Sequence, residues 1–167
     1  MSTTLALLTF AETDPQPHSS PDGTYRVVNV GDTAYPEHFF QIVGRGGAVL
    51  LSSADSALLQ SGSFATTILW TPDSRLVAFS VSTSGPYVRD TFVFSPEEKA
   101  LIQIKTEDDD HQSAPVRWTD SKTLLVVTRS PIGGKADKPV HSYHRTIRVQ
   151  TRPLRYAVIR RSGGVDK

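Results

Sequence analysis

The sequence predicts an all-β protein made of three four-stranded antiparallel repeats, and three observations lead there. Helical periodicity is nearly absent: apolar residues at helical spacing occur only around Ala54–Leu59, enough for about one turn. Strand signals are dense instead, as short alternating or β-branched runs bounded by Gly, Pro, Asp and Ser. A motif also recurs, with Trp70 and Trp118 lying 48 positions apart and Pro21 and Pro72 lying 51 apart. Periods of roughly 40 to 50 residues belong to the four-stranded blades of β-propellers.

Strands are expected near Tyr25–Val30, Phe39–Val43 and Ala48–Leu51 in a first repeat covering about residues 18–60. A second repeat, about 64–107, carries Thr67–Trp70, Leu76–Val81, Val88–Phe94 and Ala100–Ile104. A third, about 112–161, carries Pro115–Trp118, Thr123–Thr128, His141–Val149 and Leu154–Ile159. The punctuation between them is turn chemistry: Gly44-Arg45-Gly46-Gly47, Ser95-Pro96-Glu97-Glu98, and Pro131 to Pro139 with its Gly133-Gly134 pair. Gly44–Gly47 fits a hairpin turn better than a phosphate cradle, because no helix follows it directly. The 167 residues suffice for a single domain, 1–167, with a real core.

The repeated stretch has a mechanism. In Trp70-Thr71-Pro72-Asp73-Ser74-Arg75-Leu76-Val77-Ala78-Phe79 the proline presets φ and the aspartate can accept from the backbone ahead of it, making a tight turn. Trp70 offers an apolar wedge between neighbouring blades. The strand after the turn is a continuous apolar run, as expected of one covered on both faces. The third copy keeps Trp118, Thr119, Asp120 and Ser121 but lacks the proline, and the first has Ser19 where a tryptophan is expected, ahead of Pro21-Asp22-Gly23. Trp70, Pro72, Asp73, Trp118 and Asp120 are accordingly the expected structural anchors. These residues resemble the repeat of TolB-like propellers, also met in the propellers of the prolyl oligopeptidase family, over about residues 18–160. The resemblance implies an interaction platform, often of the bacterial envelope, so a periplasmic or exported location is favoured over a cytoplasmic one. The hydrolase domain that the oligopeptidases add has no room here, and that activity does not carry over. Closed propellers typically have about 4 to 8 blades. Three blades therefore imply an open arc, a rearranged sandwich, or a ring completed by a second copy of the chain.

Composition narrows the function classes. With 38% hydrophobic and 21% charged residues the chain is of globular type. No apolar run reaches the roughly 18 residues of a membrane helix, so no membrane insertion is expected. Leu5–Phe10 reads as a strand, or as the remnant of a trimmed signal peptide. The absence of cysteine excludes disulfides, thiolate metal sites and cysteine nucleophiles. The net charge of +1 hides an asymmetry: residues 1–111 hold 14 acidic and 6 basic side chains, net −8, whereas residues 112–167 hold 3 and 12, net +9. Such a split steers partners.

Three clusters are candidates for chemistry. Glu107-Asp108-Asp109-Asp110-His111 clusters oxygen ligands for Ca²⁺ or Mg²⁺, with Asp108, Asp110 and His111 as the metal set. Its spacing is not that of an EF-hand, and a solvated loop is the plainer reading. His141 and His144, three apart on a strand, point to opposite faces, which speaks against a joint metal site. The arginines Arg145, Arg148, Arg152, Arg155, Arg160 and Arg161 form a basic end suited to phosphates or acidic groups. Alternation separates Arg145 from Arg148, so they are not one stripe, and charge protection of edge strands, with pairing to the acidic half of a neighbour, is the plainer reading. Neither a Gly-x-Ser-x-Gly elbow, a phosphate-binding loop nor a carboxylate pair with an obvious base is present. The expectation is a non-enzymatic module binding a protein or peptide, with no cofactor and with nucleic acid a less favoured partner. The alternatives are a metal-assisted hydrolase or lyase at residues 107–111 and a polyanion binder at the arginine-rich end.

Overall fold

The computed structural model describes residues 18–30, 39–59, 64–82, 89–105, 112–129 and 141–165. They form eleven strands in three antiparallel sheets. The first sheet is β1 (Arg26–Val30), β2 (Phe39–Val43) and β3 (Val49–Ser52), in that spatial order. The second is β4 (Phe64–Trp70), β5 (Val77–Ser82), β6 (Arg89–Ser95) and β7 (Ala100–Ile104). The third is β8 (Gln112–Trp118), β9 (Thr123–Arg129), β10 (His141–Gln150) and β11 (Arg155–Val165). Sequential strands are neighbours throughout, so each sheet is a meander.

All eleven expected strands are present, but the first sheet has three rather than four. The segment after β3 explains this. Ser53 donates its N–H to Phe40 O at 3.0 Å, and Leu59 donates to Ser56 O at 3.2 Å, so the chain runs through successive turns. The expected helical turn over Ala54–Leu59 also fails to form, because Leu59 is buried while Leu58 stays 52% exposed and no apolar stripe exists. Among the described residues the one helical element is a 3-10 turn, Arg45–Gly47, joining β2 to β3 with Gly46 at φ 77° and Gly47 at φ 83°. Leu5–Phe10 lies outside the described residues.

The three sheets stack as layers. β1 and β2 pack on β4, and β4, β5 and β6 pack on β8. One apolar cluster, Val27, Phe40, Ile42, Leu59, Ala65, Ile68, Val77, Phe79, Val81, Phe92 and Phe94, fills the gap between the first and second sheets. Phe79 sits edge-on to Phe40 at 5.2 Å and stacks with Phe92 at 6.0 Å. A second cluster, including Leu76, Ala78, Val93, Ile104, Leu124, Val126, Ile147 and Val149, fills the gap between the second and third sheets. β5 alternates between the two, and all six of its residues are buried. Its lack of any exposed position follows from being covered on both faces, with Ser80 and Ser82 the polar residues in an otherwise apolar strand.

The repeated turn is built alike three times. Ser20, Thr71 and Thr119 each close it with their N–H, donating to Tyr25 O (2.8 Å), Leu76 O (2.9 Å) and Thr123 O (2.8 Å). Asp22, Asp73 and Asp120 each accept from the N–H two residues ahead, at 3.0, 3.3 and 2.7 Å. The residue after the aspartate adopts a left-handed conformation in the first two turns: Gly23 at φ 69° and Ser74 at φ 60°. The third turn is one residue shorter, which is where the proline is missing. The wedge residues are equally regular. Trp70 donates its indole N–H to His18 O at 3.1 Å, and Trp118 donates to Leu69 O at 2.9 Å. In both cases the acceptor lies in the preceding repeat, immediately before the residue at the tryptophan position, Ser19 or Trp70. Trp70 also stacks on Tyr25, with centroids 5.8 Å apart.

Candidate functional site: the exposed face of the third sheet

Among the described residues the second sheet has another sheet packed on both faces, whereas the third has one on a single face. Cross-strand pairs point to the same side of a sheet, so the pairing register assigns every side chain to a face. On the covered side, Thr128 pairs with Tyr143, Val126 with Arg145 and Leu124 with Ile147. On the other side one row runs Arg117–Leu125–Thr146–Arg160 across all four strands. A second runs Ala114–Val127–His144–Ser162, and a third pairs Thr123 with Arg148 and Arg148 with Ala157.

This open face has an apolar centre and a cationic surround. Leu125, Val127, Ala114 and Thr146 are half-buried, while Arg117, Arg129, Arg148, Arg155 and Arg160 are exposed. Strands β8 to β11 contain no Asp or Glu at all. A shallow recess of about 190 Å³, lined by Gln112, Ser113, Ala114, Val127 and Arg129, indents one side. Arg148 is held over the sheet by a hydrogen bond from Nη1 to Thr123 Oγ1 at 3.3 Å, and Arg155 Nε donates to Gln150 Oε1 at 2.6 Å. The bulge that offsets Thr146 and Ile147 against β11 leaves Val158 45% and Ile159 56% exposed beside the arginines.

The six C-terminal arginines are thereby divided. Arg148, Arg155 and Arg160 share the open face. Arg161 lies over the Tyr143 ring at 4.2 Å, on the covered side. Arg152 sits in the β10–β11 turn, where its N–H donates to the Glu98 carboxylate at 3.0 Å and its guanidinium lies 3.6 Å from Glu97. Arg145 leaves the candidate set: it is 1% exposed, and alternation along β10 turns it into the gap between the second and third sheets. In exchange the register adds Arg117 and Arg129, which lie more than fifteen residues before Arg145 in the sequence. Their signal was the absence of acid from the whole third repeat's strands.

Arg145 enters a polar patch within the otherwise apolar gap. Its Nη1 donates to Lys105 O at 2.7 Å, while Nε and Nη2 meet no partner among the described residues. Ser80 and Thr91, paired across β5 and β6, face Ser113 and Thr128, paired across β8 and β9. Thr91 N–H donates to Ser113 Oγ at 3.1 Å, but the buried hydroxyls of Ser80, Thr91 and Thr128 meet no partner among the described residues. On the opposite face of β6, toward the first sheet, Asp90 pairs with Val81 and is half-buried; burial pushes its carboxyl up, opposed by a hydrogen bond from Gln103.

Carboxylates elsewhere are occupied by the fold. Asp22, Asp73 and Glu97 line a cleft of about 130 Å³ between the first two turns. Asp22 is held well below the usual carboxylate range by the Ser20 hydroxyl and by Thr24. Asp120 is likewise lowered, chiefly by the Lys122 N–H. Asp108, Asp110 and His111 lie outside the described residues, and among the described residues no group of three His, Asp or Glu side chains converges on a point. His144 is exposed on the open face. Among the described residues no helix is long and apolar enough to cross a membrane. No protein-family model matches the chain, and a search of curated proteins returns no match.

Proposed function

We propose that this chain is a non-catalytic protein-binding module: three propeller-blade-like sheets, akin to those of TolB-like proteins, that present the open face of the third sheet to an acidic protein segment. One observation carries this reading. The face joins five exposed arginines to a half-buried apolar centre in strands that hold no acidic residue. Guanidinium groups match carboxylates in geometry and are favoured at protein contacts, and an apolar centre with a charged rim is the usual plan of such a contact. A phosphate-tracking surface has less need of Leu125 and Val127, and among the described residues no Phe, Tyr or Trp stands on this face to stack a base.

The test is fluorescence anisotropy with a labelled peptide that alternates Glu with Leu or Phe, alongside a single-stranded oligonucleotide of similar charge. Binding of the peptide, weakened at least tenfold by the double substitution Arg148→Glu and Arg160→Glu, is the expected result. Tighter binding of the oligonucleotide, with a steep salt dependence, would replace this reading with the polyanion one. Indifference of both probes to the double substitution would remove the face from consideration.

A further inference from the structure

We infer that the partner on the open face is a second copy of this chain, which docks its first sheet there in the way the second and third sheets already dock; this rests on reading that face as a protein contact. The three turns fix which residues of the repeats are equivalent. Ser20, Thr71 and Thr119 occupy one position, so Leu76 before β5 and Ala78 and Ser80 on it correspond to Thr123, Leu125 and Val127 of β9, and to Tyr25, Val27 and Asn29 of the first repeat. In the first repeat these residues receive the second sheet: Val27 joins the shared cluster, and the Asn29 side chain exchanges two hydrogen bonds with the Ala65 backbone, at 3.1 and 3.0 Å. In the second repeat they receive the third sheet. In the third repeat they are the open face.

Each sheet therefore has a receiving side and a docking side, and the stack has a direction. Among the described residues, the docking side on which no other sheet packs is that of the first sheet. Register places Arg26, Val28 and Val30 of β1 there with Val43, Gln41 and Phe39 of β2, and with Val49 and Ser52 of β3. Val28, Val30, Phe39 and Val43 are half-buried and Val49 is 51% exposed, an apolar surface matching the Leu125–Val127 centre. At the position where the other repeats place a tryptophan, Ser19 instead borders a recess of about 310 Å³, lined also by Arg26, Val43 and Gly44 to Gly47. The carbonyl that an incoming indole meets elsewhere belongs here to Arg117, the equivalent of Leu69, so an arginine of the receiving sheet stands opposite that recess. The docking side itself carries Arg26 and no acidic residue, so the match is apolar; opposed charge lies in the segments as wholes, with six acidic and two basic side chains in residues 1–60 against two and eleven in residues 112–161. Two copies joined this way make two equivalent contacts about a two-fold axis, or a longer array if the rotation does not close.

Light scattering after size exclusion tests this at about 100 μM protein. The expected species has at least twice the 18.3 kDa chain mass and dissociates as salt is raised. The receiving side is blocked by the Arg148→Glu, Arg160→Glu pair and the docking side by Val28→Lys with Val49→Lys, each checked for an unaltered circular dichroism spectrum. Either double variant alone should run as a monomer. An equimolar mixture should regain a two-chain species, because one intact side remains on each. A monomeric wild type, or a mixture that stays monomeric, overturns the proposal. The acidic-peptide assay distinguishes the two failures, since a monomer that binds the peptide through Arg148 and Arg160 keeps the binding face and loses only its self-association.

Discussion

Removing the Trp118 wedge is the most direct test of how the sheets are joined. Its indole is half-buried, packs against the cluster between the second and third sheets, and donates to Leu69 O at 2.9 Å. Trp118→Phe keeps most of the apolar contact but removes the donor. A typical net hydrogen bond is worth about 0.5–1.5 kcal/mol, with more lost if the carbonyl stays dry. Trp118→Ala also removes the ring. Buried aromatic-to-Ala changes cost about 3–5 kcal/mol, and half burial places this one near 3 kcal/mol, at the low end of that range. For a domain of this size 1 kcal/mol moves Tm by about 2–4 °C. The expected losses are therefore about 2–5 °C for Phe and about 6–12 °C for Ala, read by far-UV circular dichroism. The chain has two tryptophans, so the variant also leaves Trp70 as the sole indole reporter of the other interface. An Ala variant that melts with wild type would refute the wedge and, with it, the equivalence of the two sheet–sheet contacts.

Two further predictions concern polar groups on the two faces of the second sheet, Arg145 in the gap to the third sheet and Asp90 on the side of the first. Arg145→Met should leave thermal stability unchanged or raise it by up to about 3 kcal/mol, because a buried guanidinium with two unmatched donors gives way to an apolar chain of similar length. A fall of several degrees would show that a counter-charge meets Arg145. Asp90→Asn should raise Tm at pH 8 and change it little near pH 4. The carboxyl of Asp90 is raised in the folded protein, so its ionised form weakens folding above that folded value and the protonated form does not below it. Equal effects at both pH values would sink that assignment.

Much of the layer structure was legible because it is written in local chemistry. The Asp-centred turns are three- to six-residue events, and Asp22, Asp73 and Asp120 reveal them without any knowledge of the tertiary fold. The double-sided burial of β5 was legible for the same reason, since Leu76–Val81 has no polar alternation beyond Ser80. What stayed hidden depends on register between distant strands. Arg145 and Arg148 differ in facing by alternation alone, but that Arg145 is the buried one follows from which side of β10 the second sheet covers. Arg117 and Arg129 joined Arg148 only when β8 and β9 took their places beside β10. That Ala54–Leu59 adds no strand to the first sheet was equally illegible, since its pattern favours neither strand nor helix strongly enough to decide.

Edge protection is the plainest competing account of the arginines, and their positions weigh against it. Charges that deter edge-to-edge pairing belong on edge strands, and Arg155, Arg160 and Arg161 on β11 fit that role. Arg129 and Arg148 do not, because β9 and β10 are the central strands of the third sheet and already have hydrogen-bonded neighbours on both sides. Charges on a central strand act through the face of the sheet. There they flank Leu125 and Val127, at the positions that in the second sheet are the apolar Ala78 and the small Ser80 beneath a packed neighbour. The third sheet thus keeps the apolar positions on which a following sheet would rest and surrounds them with cations, a combination that selects an acidic neighbour instead of repelling every neighbour.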